Sequence, residues 1–138
     1  MDDETIPDLP RTIAELPFFA NGRFPRPDLV GRCTATTVEP IGSREWVERV
    51  RDLGLGLTTI GVSRGDRVAL LSESRPEWLL SDAAILALGA VTVPIYPTLS
   101  PDQVAFILRD SGARSRRLIT GSRSRSRLAS GPWFDTSQ

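Results

Sequence analysis

The sequence predicts an α/β fold with parallel strands, and three observations carry that prediction. Between residues 67 and 112, short apolar runs alternate with longer helical patterns, in the order strand, helix, strand, helix. The spacings are those of right-handed parallel units. Both helical patterns open on a serine followed three residues later by Glu or Gln, with a proline in the first turn, which is a helix-start signature. Both close on a glycine, Gly89 and Gly112, suited to the left-handed conformation past a helix end. The length of 138 residues fits one domain or part of one. A 40% hydrophobic and 25% charged composition is that of an ordinary globular chain.

The elements follow in order. Residues 1–42 are proline-rich and irregular. Thr12 to Phe19 suggests a short helix with Ile13, Leu16 and Phe19 on one face, limited by Pro17. Asn21-Gly22 and Pro25-Arg26-Pro27 read as turn or extended signals, and the β-branched Thr34 to Val38 as a short edge strand. Ser43 is the expected N-cap of a helix from Arg44 to Ile60. There Trp46, Val47, Val50, Leu53, Leu57 and Ile60 make one buried stripe, opposite Arg44, Glu48, Arg51 and Asp52. Gly54 and Gly56 weaken that helix by about 1 kcal/mol each relative to alanine, and Gly61 ends it. Arg64-Gly65-Asp66 is a tight turn into a strand, Arg67 to Leu71.

Ser74-Arg75-Pro76-Glu77 matches a capping box for a helix running to Leu88. That helix is apolar on nearly every side, which predicts packing on more than one face. Val91 to Ile95 follows as a second, buried-looking strand. Ser100-Pro101-Asp102-Gln103 repeats the capping box for a helix whose inner face is Val104, Ile107 and Leu108. A third parallel strand is due next, and Leu118-Ile119-Thr120 is its only apolar hint. Ser122 to Arg127 then alternates Ser and Arg, buries nothing, and is expected to be disordered.

Charge divides along the same line. Residues 1–112 hold eleven arginines against sixteen acids, and residues 113–138 hold six arginines against one acid, Asp135. The balanced total of 17 and 17 therefore sums an acidic body, 1–112, and a basic tail, 113–138. The composition shifts abruptly, which suggests a frameshift or truncation near Ala113.

All 17 cations are arginine, with no lysine and no histidine. This excludes Ser-His-Asp and Cys-His catalysis, histidine metal ligands, a Schiff-base lysine and the lysine-bearing phosphate loop of P-loop enzymes. One cysteine, Cys33, makes neither an internal disulfide nor a CxxC zinc site. The acidic start, Met1-Asp2-Asp3-Glu4, is no signal peptide. The longest uncharged apolar stretch, Ala83 to Ile95, is shorter than the roughly 20 residues of a transmembrane helix. A cytoplasmic, reduced protein is expected.

The run from Gly65 to Arg114 resembles the N-terminal subdomain of adenylate-forming (AMP-binding) enzymes and is most similar to bacterial long-chain fatty-acid–CoA ligases. The residues that carry the likeness are the segment GDRVALLSES, Arg75-Pro76-Glu77-Trp78, Gly89-Ala90-Val91, Pro94-Ile95-Tyr96-Pro97-Thr98, and Gln103 with Phe106-Ile107-Leu108. The upstream stretch fits more loosely, and the likeness covers about residues 1 to 114. It implies a partial N-terminal subdomain and a parent reaction in which a fatty acid, ATP and coenzyme A give acyl-CoA, AMP and pyrophosphate. The family's Ser/Thr/Gly-rich phosphate loop, nucleotide segments and late catalytic lysine match no position here. The expectation is therefore an inactive fragment with no catalytic, cofactor-binding or metal-ligating residue of its own; ATP, Mg and CoA belong to the parent family.

Individual candidates have modest roles. Asp82, inside the apolar helix, reads as a contact to another subdomain or a capped polar contact, with a functional role as the alternative. Tyr96 and Thr98 lie at the C-terminal end of a strand, the edge where open α/β sheets place ligands. Cys33 reads as an incidental small residue, and Asp66 and Arg67 as shapers of a turn. The rival from another class is a small non-enzymatic binding protein whose Arg/Ser tail contacts nucleic acid or acidic surfaces. A further alternative is a module that docks on an intact ligase. Exposed strand edges and an apolar helix predict a marginal, aggregation-prone product.

Overall fold

A computed structural model describes residues 9–113 and 118–120. The described chain starts with a 3-10 turn, Ile13–Glu15, followed by α1, Leu16–Arg23. The expected helix over Thr12 to Phe19 is thus shifted. Pro17 sits in the first turn of α1, where a missing N–H is tolerated, so it starts the helix rather than limiting it. Asn21 and Gly22 lie within α1, not in a turn. Of the three residues spaced for one face, Ile13 is 77% and Leu16 53% exposed, and Phe19 is half-buried.

Next comes an antiparallel hairpin of β1, Val30–Cys33, and β2, Val38–Ile41. The single strand expected over Thr34 to Val38 falls largely on its turn. There the Thr34 N–H and hydroxyl donate to the Thr37 carbonyl, and the Thr37 N–H returns a bond to the Thr34 hydroxyl. Short threonine hydroxyls satisfy backbone groups locally, which favours a turn over a strand despite the β-branching.

Helix α2 spans Ser43–Thr59, one residue earlier than expected, and its N-cap is Gly42. Ser43 is not the cap. Its hydroxyl accepts from the Arg26 N–H and donates to Asn21 Oδ1, both near 3 Å, tying α2 to α1 and to the chain just after it. Trp46, Val50, Gly54 and Leu57 form the buried stripe, while Ile60, 61% exposed, has left it at the helix end. Gly61 follows at φ +85°, as the sequence required.

The core unit is α/β with parallel strands. β3, Arg67–Leu71, lies between β4, Val91–Ile95, and β5, Leu118–Thr120, in the order β4-β3-β5. Both neighbours run parallel to it, with Arg67 opposite Val91 and Ala69 opposite Leu118. The third strand expected from Leu118-Ile119-Thr120 is present. Helix α3, Pro76–Ala87, and helix α4, Pro101–Ser111, supply the crossovers. Val68, Leu80, Ala84 and Ile85 pack with Trp46, Val50 and Leu57 of α2, which makes the larger core. Ala69, Leu71, Ile95 and Val104 form a smaller core on the other face, with Ile107 and Leu108 against it. Helix α3 packs on both α2 and the sheet, as its all-round apolarity predicted.

Two expectations in this unit fail. β4 is not a buried strand: only Ile95 is fully covered, and Val91 is 51% exposed, because β4 is an edge. The capping box at Ser74 does not form; Arg75, extended at φ −159° and ψ 159°, is the N-cap of α3. The box at Ser100 does form, with both reciprocal bonds, and Gly112 closes α4 at φ +67°. The Arg/Ser run from Ser122 to Arg127, with most of the tail, lies outside the described residues.

Candidate functional site

A groove of about 1030 Å³ opens at the C-terminal ends of β3 and β4. Its floor is the loop after β3 and the first turn of α3. One wall is the end of β4 with Tyr96, Pro97 and Thr98, and the other is β1. The geometry follows from the parallel order: strands that run the same way release their connecting loops at the same edge, and ligands of open α/β sheets gather there. A second hollow, about 770 Å³, lies at the opposite end of α3, between its last turn and the Ile13–Glu15 turn.

A charge cluster organises the groove. Proline at position 76 favours an extended Arg75, since the residue before a proline is disfavoured in the helical region. Helix α3 therefore begins at Pro76, and Glu77 in its first turn is free to face outward. Arg32 Nη2, carried in by β1, donates to Glu77 Oε1, and Arg75 Nε donates to Glu77 Oε2 at 2.9 Å. Partial burial pushes the Glu77 carboxyl up. That effect is outweighed by the hydrogen bond to its own backbone N–H, the hydrogen bond and charge of Arg75, and the charge of Arg32, so the carboxyl is held below the usual carboxylate range. All three side chains are close to 40% exposed. The cluster is a clasp between the hairpin and α3, not a buried ion triad.

The sequence-derived candidates divide accordingly. Tyr96, 73% exposed, and Thr98 line the groove, as their position at a strand end implied. Cys33 also lines it and is exposed. Asp82 is half-buried on α3 and lies outside the groove lining. Asp66 accepts from the Ser63 N–H at 2.7 Å and so shapes the turn before β3. Arg67 starts β3 and reaches to Gly112. Arg32, Arg75 and Glu77 were not singled out as a site. The first lies in a proline-rich, irregular segment of the sequence, and the other two fall within the Ser74–Glu77 capping-box pattern. The one available signal was Pro76, which places the helix start at itself.

The chemistry open to this arrangement is recognition and positioning. Both oxygens of Glu77 are occupied by guanidinium groups, which makes it a poor proton acceptor; the other carboxylate lining the groove is the exposed Glu73. Among the described residues no cluster of three His, Cys, Asp or Glu side chains could hold a metal ion. Arg32 and Arg75 are committed to Glu77, and lysine is absent from the sequence. Among the described residues no helix is long and apolar enough to cross a membrane.

Comparison with known proteins gives consistent relatives. The family model described as AMP-binding enzyme matches residues 36–129. The long-chain-fatty-acid–CoA ligase FadD15 of Mycobacterium bovis is 52% identical over 69 residues, which are half of this chain and 12% of that protein. The uncharacterized protein Rv1549 of Mycobacterium tuberculosis is 28% identical over 110 residues, 80% of this chain and 62% of that one. Among solved structures, a Mycobacterium tuberculosis fatty acyl CoA synthetase superposes with a TM-score of 0.71 at 28% identity, over 84% of this chain and 22% of that chain. The chain therefore spans less than a quarter of the ligase and the synthetase it matches.

Proposed function

The chain belongs to the AMP-binding enzyme family, and from that premise we propose that it is part of the N-terminal subdomain of a long-chain fatty-acid–CoA ligase. The observation that carries this reading is the 52% identity to a long-chain-fatty-acid–CoA ligase over 69 residues, about half of this chain. Supporting it is the parallel unit itself, whose C-terminal edge presents an open groove. The parent reaction joins a fatty acid to ATP with loss of pyrophosphate, and then transfers the acyl group from the adenylate to coenzyme A with loss of AMP. In that reaction this chain contributes a wall of the binding region through Tyr96 and Thr98, and a scaffold through the Arg32–Glu77–Arg75 clasp.

By itself the chain is inactive in this proposal, because the parent family's phosphate loop and late catalytic residue each carry a lysine and this sequence has none. The setting that accompanies the reading is bacterial and cytoplasmic. The alternative, a non-enzymatic protein whose Arg/Ser tail contacts nucleic acid or acidic surfaces, rests on the composition of the tail alone and is not favoured by the family match. The test is an acyl-CoA formation assay on the purified chain, with pyrophosphate release as a second readout. The expected result is no ATP-dependent turnover of a long-chain acid; measurable turnover overturns the inactivity.

A further inference from the structure

The outer edge of β4 is open, and its backbone has a definite polarity. The Val91 N–H donates to the Asp66 carbonyl at 2.7 Å, so the peptide groups of Val91 face β3. Backbone direction alternates along a strand, so Val93 and Ile95 face β3 as well, while Thr92 and Pro94 face away. Pro94 is solvent-exposed and Val91 is 51% exposed, so among the described residues nothing covers this edge. A proline at an inward position would break the ladder to β3. At position 94 it breaks nothing there and instead removes a donor from the open side.

We infer that Pro94 is an edge guard, which bars β4 from pairing with β4 of a second copy of this chain. The register that uses the whole strand is antiparallel and two-fold about Val93, with Thr92 of one copy opposite Pro94 of the other. Thr92 and Pro94 then form the bonded pairs, and a full set would be four hydrogen bonds. Each Pro94 lacks the N–H that should reach the opposing Thr92 carbonyl, so two of the four are missing and two carbonyls are left unpaired. An exposed parallel edge is an aggregation template; here one residue of the strand blunts it.

The test is sedimentation velocity on the full chain. Pro94→Val and Pro94→Ala each restore the missing donor. Either is expected to lower the concentration for half-association about tenfold or more relative to the parent, the scale of two regained hydrogen bonds. Adding Thr92→Pro to Pro94→Val removes the other outward donor and should return the value to that of the parent. A thermal melt tests the polarity separately: Thr92→Pro keeps a cooperative transition, whereas Val93→Pro, at an inward position, abolishes it. Unchanged association in both Pro94 variants, or a melt lost with Thr92→Pro and kept with Val93→Pro, overturns the inference.

Discussion

Helices α3 and α4 open on closely similar sequences, Ser-Arg-Pro-Glu and Ser-Pro-Asp-Gln, yet they begin differently. In α4 the proline directly follows the serine. Ser100 is the cap, Pro101 the first helical residue, and Gln103 reaches back to the Ser100 N–H at 2.9 Å. In α3 one residue separates them. Proline fixes its own φ and disfavours a helical conformation in the residue before it; here Arg75 is extended and becomes the cap, and the box loses its frame. Glu77 is then at the second helical position, not the third, and is released to bind Arg32 and Arg75. The same residue types thus close one helix on itself and tie the other to a distant hairpin. The position of proline decides which.

The two helices also differ in what they bury, and the largest expected effect tests that. Ile85 of α3 is fully buried, so Ile85→Ala should cost about 2–5 kcal/mol in urea denaturation. The equivalent change at Ile107, half-buried on α4, should cost less than about half as much. Equal losses would mean that the two cores matter alike. The closing glycines come next. Both have positive φ, but a Cβ at Gly89 would lie 3.0 Å from Arg64 Cγ, against 3.5 Å from Arg67 Nη1 at Gly112. Gly89→Ala should therefore cost about 1–2 kcal/mol and Gly112→Ala about 1 kcal/mol, read from the same denaturation curves.

The caps give a smaller but sharper contrast. Ser100→Ala should destabilise by about 1 kcal/mol, while Ser74→Ala stays within about 0.5 kcal/mol of the parent. A comparable loss at Ser74 would show that the second box forms in solution. Glu77→Gln is also a small effect, expected below about 1 kcal/mol because the clasp is well solvated. Its signature is the pH dependence. The folded carboxyl is held below its ordinary range, so its contribution is full above that range and is lost as pH falls through the folded value. A melting temperature followed across acidic pH should fall less steeply for Glu77→Gln than for the parent.

Much of the fold was legible from the sequence because its determinants are local. The strands Arg67–Leu71 and Val91–Ile95, the box at Ser100 and the glycine stops each depend on a few adjacent residues. The sequence suggests a single strand over Thr34 to Val38 and not the hairpin, because the turn is set by Thr34 and Thr37 satisfying each other's backbone, a choice that β-propensity does not record. Ser43 was read as a cap because its partners, Asn21 and Arg26, are 22 and 17 residues away. The groove was partly foreseen through Tyr96 and Thr98. Its charge cluster was not, since Arg32 and Glu77 are 45 residues apart.

The sequence by itself determined the alternation of strand and helix, the parallel order it implies, and the absence of lysine and histidine chemistry. Those properties live in composition and in spacings of a few residues. The tertiary structure alone decided that β4 is an edge, that its Pro94 faces outward, and that Arg32 and Arg75 share one carboxylate. Burial, the side of a strand that faces its neighbour, and ion pairing across long separations depend on which segments the folded chain brings together, and no local pattern encodes them.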